Sequence, residues 1–175
     1  PEDRPLIFMA NHSSLADIPL LEATIPQYFR GILADHQFKY FLYGPLAKRM
    51  GNIPINRKSI RESLKSFQRA KQLIEAGINI TVLPEGGRSL DGHLLPFKVL
   101  PFHFAKESGA SIVPISISGI YALKNKGSWH LNPGGLVVRF GPIITAEDIS
   151  RMEVDDLLRE TYKRIENGLE PFERV

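Results

Sequence analysis

An α/β fold, with a largely parallel central sheet and helices on both faces, is what this sequence predicts. Three observations carry the prediction. Short apolar runs of strand length alternate along the chain with helix-patterned segments, the order that builds βαβ units. Runs such as 6–10 and 112–117 are apolar or β-branched nearly throughout, as strands covered on both faces are. A length of 175 residues, 43% of them hydrophobic and 23% charged, suffices for one core of ordinary size. No internal repeat, low-complexity segment or linker interrupts the chain, so residues 1–175 read as a single domain.

The elements follow in order. Residues 6–10 form a buried strand that stops at Asn11. Ser14, with Asp17 three residues later, is a helix-start signature that makes Ser14 the N-cap, and Ile18, Leu20 and Leu21 follow. Pro19 falls beyond the first turn of a helix so begun and keeps it short or kinks it. Residues 29–33 are a second strand, 38–50 a helix closed by Gly51, and 53–55 a short strand. Ser59 and Glu62 form a capping box for a helix running to Ala76. Its apolar stripe is Ile60, Leu64, Phe67, Leu73 and Ile74, and Gly77 ends it. A strand over 78–83 leads into a glycine-rich loop over 84–96. Pro101 suits the first turn of a helix reaching Ser108, with Gly109 as its stop. Strands over 112–117 and 136–140 precede a last helix from about Val154, which repeats apolar residues at Leu157, Leu158, Tyr162, Ile165 and Leu169.

Composition narrows the function. The chain has no Cys, which removes disulfides, thiolate metal sites and a cysteine nucleophile, and fits a reducing compartment. No stretch approaches the ~18 uninterrupted apolar residues of a membrane span. The most apolar window, 112–123, is broken by Pro114, Ser116, Ser118 and Gly119. Nothing at the start reads as a signal peptide. The chain opens on Pro1 and reaches a strand-like run within five residues, so an excised domain is expected, with any membrane anchor lying upstream. The net charge of +3 hides an asymmetry: residues 48–71 carry eight bases against the single acid Glu62, a local excess of +7, while 145–175 carry a net −4. Such an excess is either a solvated helix face or a footprint for an anionic partner. Among partners, an anionic lipid surface or a phosphorylated small molecule suits it better than nucleic acid, because only Phe67 offers a stacking aromatic over 57–71.

In open α/β sheets the reactive groups collect on loops at the carboxyl ends of the strands. Two polar segments have that placement, Asn11-His12-Ser13-Ser14-Leu15-Ala16-Asp17 and Pro84-Glu85-Gly86-Gly87-Arg88-Ser89. On a regular helix His12 and Asp17 would stand ~140° apart. They meet only if His12 lies on the turn before the helix and Asp17 points back from the first turn. Asp17 then accepts the Nδ1 proton and leaves Nε2 free as a general base. The competing assignment makes Asp17 a capping acid and His12 a surface residue. In the second segment the glycines let a phosphate approach backbone N–H groups, and Arg88 can bind it bidentately. Glu85 there holds a ligand hydroxyl, orients Arg88, or merely pairs with it inside an ordinary turn. Arg57, on the turn after a short strand, is a second phosphate ligand or part of a solvated basic helix start. No G-x-S-x-G, Walker or G-x-G-x-x-G motif occurs. His12, Asp17, His36 and His93 lack any recognised metal-ligand spacing, and His36, His93, His103 and His130 are assigned structural roles.

Taken together and in this order, these segments resemble the glycerolipid acyltransferases typified by 1-acylglycerol-3-phosphate acyltransferase, the PlsC type. Asn11-His12 through Asp17 resembles the N-H-x-x-x-x-D block, and Gly51-Asn52-Ile53-Pro54-Ile55-Asn56-Arg57 the block that ends in a substrate-binding arginine. Leu83 through Ser89 resembles the F-P-E-G-x-R-S block, continued by Asp91 through Lys98, and Val113-Pro114-Ile115 the V-P-[IV] strand. Three positions depart from the pattern: Gly87 where Thr is common, Val99-Leu100-Pro101 in place of Lys-Gly-Ala, and Asp35 near a common lysine.

The resemblance implies a glycerol-3-phosphate acyltransferase-like fold and transfer of a fatty acyl group to the free hydroxyl of lysophosphatidate, giving phosphatidate. The donor would be acyl-CoA or acyl carrier protein, used as a co-substrate with no cofactor and no metal. His12 would be the base and Asp17 its orienting partner. Arg57, Glu85, Gly86, Gly87 and Arg88 would form the glycerol-phosphate site, with Asn11, Lys98 and Pro114 in support. The same chemistry on glycerol 3-phosphate or another lysophospholipid, or a catalytically silent lipid-binding domain, is the alternative. The expected setting is the cytoplasmic face of a membrane, in peripheral contact with anionic lipid or anchored by a segment outside this chain, and without nucleic acid.

Overall fold

The structure is a computed structural model that describes residues 4–123 and 132–171. The elements are β1 (Leu6–Ala10), α1 (Asp17–Thr24), β2 (Phe29–Ala34), a 3-10 turn (Asp35–Lys39), α2 (Tyr43–Arg49), β3 (Ile53–Ile55) and α3 (Ile60–Glu75). After these come β4 (Asn79–Val82), α4 (Leu100–Ser108), β5 (Ser111–Ser118), α5 (Ile120–Leu123), β6 (Val137–Phe140), α6 (Ala146–Arg151) and α7 (Val154–Gly168). The strands form one six-stranded sheet in the order β3-β2-β4-β1-β5-β6. All neighbours pair in parallel except β5 and β6, which run antiparallel. The expected α/β sheet with two covered faces is therefore the observed one.

Strand alternation sorts the core into two layers. Ile7 and Met9 of β1 point to one face, with Ile80, Ile112, Phe67, Phe102, Leu157 and Ile165. Phe8 and Ala10 point to the other, with Ile18, Leu21, Ala47, Val113 and Ile115. The first layer is sealed by α3, α4, α6 and α7, the second by α1 and α2. Because every parallel strand needs a helical return, the carboxyl ends of β1 to β5 all lie at one end of the molecule, and their outgoing loops gather there.

Several expectations are corrected. The helix expected over 38–50 is two pieces, the 3-10 turn and α2, separated by Tyr40, Phe41 and Leu42. Pro45 is the reason: its ring excludes the carbonyl four residues back, so α2 starts within one turn of it. Gly44 lets the two pieces close up, because a Cβ there would sit 2.3 Å from the Phe38 carbonyl oxygen. Ser14 is not the N-cap of α1, which begins at Asp17 with Ala16 before it and no side-chain cap bond. Pro19 consequently falls in the first turn, where it is tolerated. Ser59 does cap α3, accepting from the Glu62 N–H, while the Glu62 carboxylate binds the Asn56 amide instead of closing the box. Of the expected stripe on α3, Phe67 and Ile74 are buried, whereas Ile60 and Leu64 are 80% and 51% exposed. The short helices α5 and α6 were not anticipated, although Thr145 caps α6 through the Asp148 N–H. The assignment of His130 falls outside the described residues.

Candidate active site

His12 is the second residue beyond β1. Asn11, before it, is buried and clasps the neighbouring strand: its Nδ2 donates to the Ile117 carbonyl at 2.9 Å, and its Oδ1 accepts from the Ile117 N–H at 2.8 Å. This clasp prolongs the β1–β5 pairing by side chain after the backbone has turned away, so the chain is held where His12 begins. Ser89 N–H donates to the His12 carbonyl at 2.9 Å and ties the 84–89 loop to the same point.

Asp17 opens α1 and points back over the turn. Its Oδ2 accepts from His12 Nδ1 at 2.7 Å, from Ser13 N at 2.8 Å and from Ser14 N at 3.0 Å. Three donors on one oxygen, in a residue with no exposed surface, leave the carboxylate no freedom to swing. The five-residue spacing therefore closes into a turn rather than a helical face. Against a carboxylate, Nδ1 carries the proton, and Nε2 is left without a partner among the described residues.

Glu85 gives both carboxylate oxygens to backbone N–H groups rather than to a pair with Arg88. It is 3% exposed, and among the described residues it has no hydrogen bond or ion pair with Arg88. One oxygen accepts from the His12 N–H and the other from the Leu95 N–H at 2.9 Å. Glu85 thus braces the backbone of His12 against the far side of its own loop. Burial pushes its carboxyl up to about 8, the two N–H donors pull it down in part, and the Asp17 charge adds to the rise. Between about pH 4.5 and 8 the folded protein holds a proton that the unfolded chain has released. Stability is therefore expected to fall as pH rises through that window and to level off above it. Glu85→Gln should remove that part of the slope, up to about 1.4 kcal/mol per pH unit. Denaturant titrations of both proteins at pH 5, 6.5 and 8 check this; parallel slopes would put the titrating group elsewhere.

The remaining candidates divide into two groups. Arg57 follows β3, and its Nη1 donates to the Gly86 carbonyl, bridging two loops at the carboxyl end of the sheet. Desolvation lowers its pKa and the Asp35 charge opposes that, but a guanidinium stays protonated at neutral pH. Gly86 has φ +70° and packs against Lys98, whose Cγ a Cβ would meet at 3.2 Å, so the loop requires glycine there. A Cβ on Gly87 would meet nothing within 4 Å. The Arg88 guanidinium has no hydrogen bond or ion pair among the described residues, and the N–H groups of Gly87 and Arg88 are likewise unbonded there. Arg57, Gly86 and Lys98 also line an apolar cavity of about 220 Å³, with Ile32, Ile55 and Phe67 among its walls. A larger groove of about 660 Å³ between α3 and α4 includes none of the motif residues. Pro114 stands apart: it is in register with Met9, three residues before His12, and its carbonyl accepts from Gly141. Its place is within β5, which pairs with β1 and β6.

Sequence reasoning missed Ser89 and Asp91 as organisers of the second loop. The Ser89 hydroxyl donates to Asp91 Oδ1 at 2.8 Å and accepts from the Gly92 N–H, and Asp91 Oδ1 takes the His93 N–H as well. The S-x-D-G spacing was the available signal. The described residues also contain no cluster of three or more His, Cys, Asp or Glu side chains able to hold a metal ion.

A family model described as Acyltransferase matches residues 1–118, a span that holds both loops and all four sequence blocks. The chain belongs to the acyltransferase family. Members of the family similar to this acyltransferase-family chain include the 1-acyl-sn-glycerol-3-phosphate acyltransferase of Limnanthes douglasii. It is 30% identical over 154 residues, covering 87% of this chain and 55% of the relative. The chloroplastic enzyme of that name from Arabidopsis thaliana is 29% identical over 169 residues, 96% of this chain and 46% of its own. The crystal structure of the 1-acyl-sn-glycerophosphate (LPA) acyltransferase PlsC from Thermotoga maritima superposes with a TM-score of 0.83 at 26% identity, covering 96% of this chain and 66% of that one. The chain spans about half the length of the curated relatives it matches.

Proposed function

We propose that this chain transfers a fatty acyl group from an acyl thioester, acyl-CoA or acyl carrier protein, to the free hydroxyl of lysophosphatidate, forming phosphatidate at the cytoplasmic face of a membrane. The observation that carries the reading is the buried His12–Asp17 pair, at 2.7 Å, at the same end of the sheet as Arg88. The names of the similar proteins supply the acceptor.

The chemistry runs as a direct transfer. His12 Nε2 takes the acceptor's hydroxyl proton as the oxygen attacks the thioester carbonyl carbon. The imidazolium so formed faces the Asp17 carboxylate, which stabilises it without taking the proton. Collapse of the tetrahedral intermediate breaks the C–S bond, and the thiolate leaves readily because its conjugate acid has a pKa near ~8.5. The proton on His12 then returns to that sulfur. No acyl-enzyme is formed, in keeping with the lack of Cys. Arg88, Arg57 and the N–H groups of Gly87 and Arg88, unbonded among the described residues, offer charge and donors to the acceptor phosphate and to the developing oxyanion. The apolar cavity beside Arg57 offers room for part of an acyl chain.

Free-thiol release tests the reading. With palmitoyl-CoA or palmitoyl carrier protein as donor, release should require lysophosphatidate and be far slower with glycerol 3-phosphate or with no acceptor. Release that prefers glycerol 3-phosphate would reassign the acceptor. No release with either donor would make the chain a lipid-binding domain.

A further inference from the structure

We infer that the end of the molecule carrying the strand carboxyl termini docks on an anionic lipid bilayer, with Phe41 and Leu42 inserted as an apolar wedge. The inference deepens the reading above and rests on it for the choice of a bilayer over another apolar partner. Its physical basis is separate.

Among the described residues the four most exposed large apolar side chains lie at one end of the molecule, whereas half-exposed ones such as Leu46, Leu64, Phe140 and Ile143 lie on α2, α3 and around β6. Phe41 is 91% exposed, Leu42 82%, Ile60 80% and Leu90 71%, with Leu15 and Val99 about half exposed. All six lie on connections at the carboxyl end of the sheet. Leu15 follows β1, Phe41 and Leu42 follow β2, Ile60 follows β3, Leu90 follows β4, and Val99 precedes α4. Scattered exposed apolar residues need no explanation, but their gathering around the mouth of one site does.

The wedge is held outward by the backbone. The Gly44 N–H donates to the Tyr40 carbonyl at 2.8 Å, and Gly44 packs directly on the Phe38 backbone. The tight closure leaves Phe41 and Leu42 at its tip with no core to turn into. From there α2 runs away from the site, and its last turn is fastened near the start of β2, where the Tyr28 hydroxyl donates to the Met50 carbonyl at 3.1 Å. Tyr40, Phe41 and Leu42 therefore stand at the catalytic end, and Lys48 and Arg49 at the opposite one.

Charge agrees with an anionic surface, though not as the sequence run suggested. The fold divides the basic run of 48–71, sending Lys48 and Arg49 to the far end and keeping Arg57, Lys58 and Arg61 beside the site. The loops add exposed Lys39 and Lys98 to that end, against the exposed acids Asp35, Glu62 and Asp91. Apolar side chains projecting among Lys and Arg are the pattern of an interfacial binder, with the wedge in the acyl boundary and the cations at the headgroups. A chain docked this way opens its acceptor site directly onto the leaflet that holds a lysophospholipid.

The test uses the chain's lack of cysteine. Phe41→Cys and Tyr28→Cys are each labelled with the environment-sensitive fluorophore NBD and titrated with vesicles of phosphatidylcholine, with and without 3:7 phosphatidate. Anionic vesicles should blue-shift and brighten the label at 41, and doxyl lipids should quench it, while the label at 28 stays in water. The double variant Phe41→Asp, Leu42→Asp should bind these vesicles roughly tenfold more weakly or worse. No change at 41, an equal change at 28, or a label at 41 already shielded before vesicles are added would each overturn the inference. Transfer to a water-soluble short-chain acceptor separates the two readings. It persists in the double variant if only docking is lost, and its absence beside normal insertion would count against the enzyme reading alone.

Discussion

Replacing His12 by Ala should lower the proposed thioester-dependent acyl transfer by about 10²–10⁴-fold, the range that a positioned general base supplies. The expectation follows from the bonds His12 does and does not make. Among the described residues its ring bonds to Asp17 alone, which leaves Nε2 for a hydroxyl. Removing the ring leaves Asp17 Oδ2 still accepting from the Ser13 and Ser14 N–H groups, so the carboxylate is not stranded and the turn persists. Cooperative unfolding and vesicle binding should be close to those of the parent. Asp17→Asn also impairs transfer, because an amide can present a donor to Nδ1 and favour the wrong tautomer. Since the two residues act as one unit, the double variant should be little worse than His12→Ala. Free-thiol release under saturating donor checks all three proteins. Retention of most turnover by His12→Ala would move the base elsewhere.

Arg88→Ala should raise the KM for lysophosphatidate roughly ten- to hundredfold, the worth of a charge-assisted bond of about 1.5–3 kcal/mol. The effect should vanish with a monoacylglycerol acceptor, which has the hydroxyl and lacks the phosphate. Arg88 is the informative arginine because its guanidinium has no hydrogen bond or ion pair among the described residues. Arg57, by contrast, grips the Gly86 carbonyl, so removing it loosens the loop as well as the ligand. Arg88→Lys keeps the charge and loses the fork, and should fall between parent and Ala. Initial rates against both acceptors decide the matter. An equal loss with the phosphate-free acceptor would take the phosphate role from Arg88.

Much of the site was legible in the chain because its geometry is local. Six residues separate β1 from α1, so an Asp at the first position of the helix is within reach of the histidine near the start of the turn, an arrangement the sequence left beside a capping role for Asp17. Glu85 was legible as important and not as a brace, since its partners are the N–H groups of His12 and Leu95, one of them 73 residues away. Asn11 is similar: its two bonds go to Ile117, 106 residues on, and no pattern within the chain points there.

By itself the sequence determined where the six strands and the main helices α3, α4 and α7 lie, and that the polar blocks follow strands. Those are consequences of apolar runs, caps and turn residues acting over a few positions. The structure alone decided how those blocks are placed against one another. It separated Lys48 and Arg49 from the rest of the basic run, left Ile60 and Leu64 of the α3 stripe in water, and set Phe41 and Leu42 at the tip of a turn. Each outcome depends on the sheet order β3-β2-β4-β1-β5-β6 and on the direction of the helices that return between its strands. Those are long-range choices, made where whole faces are buried against one another, and a periodicity of two or of 3.6 residues carries no record of them.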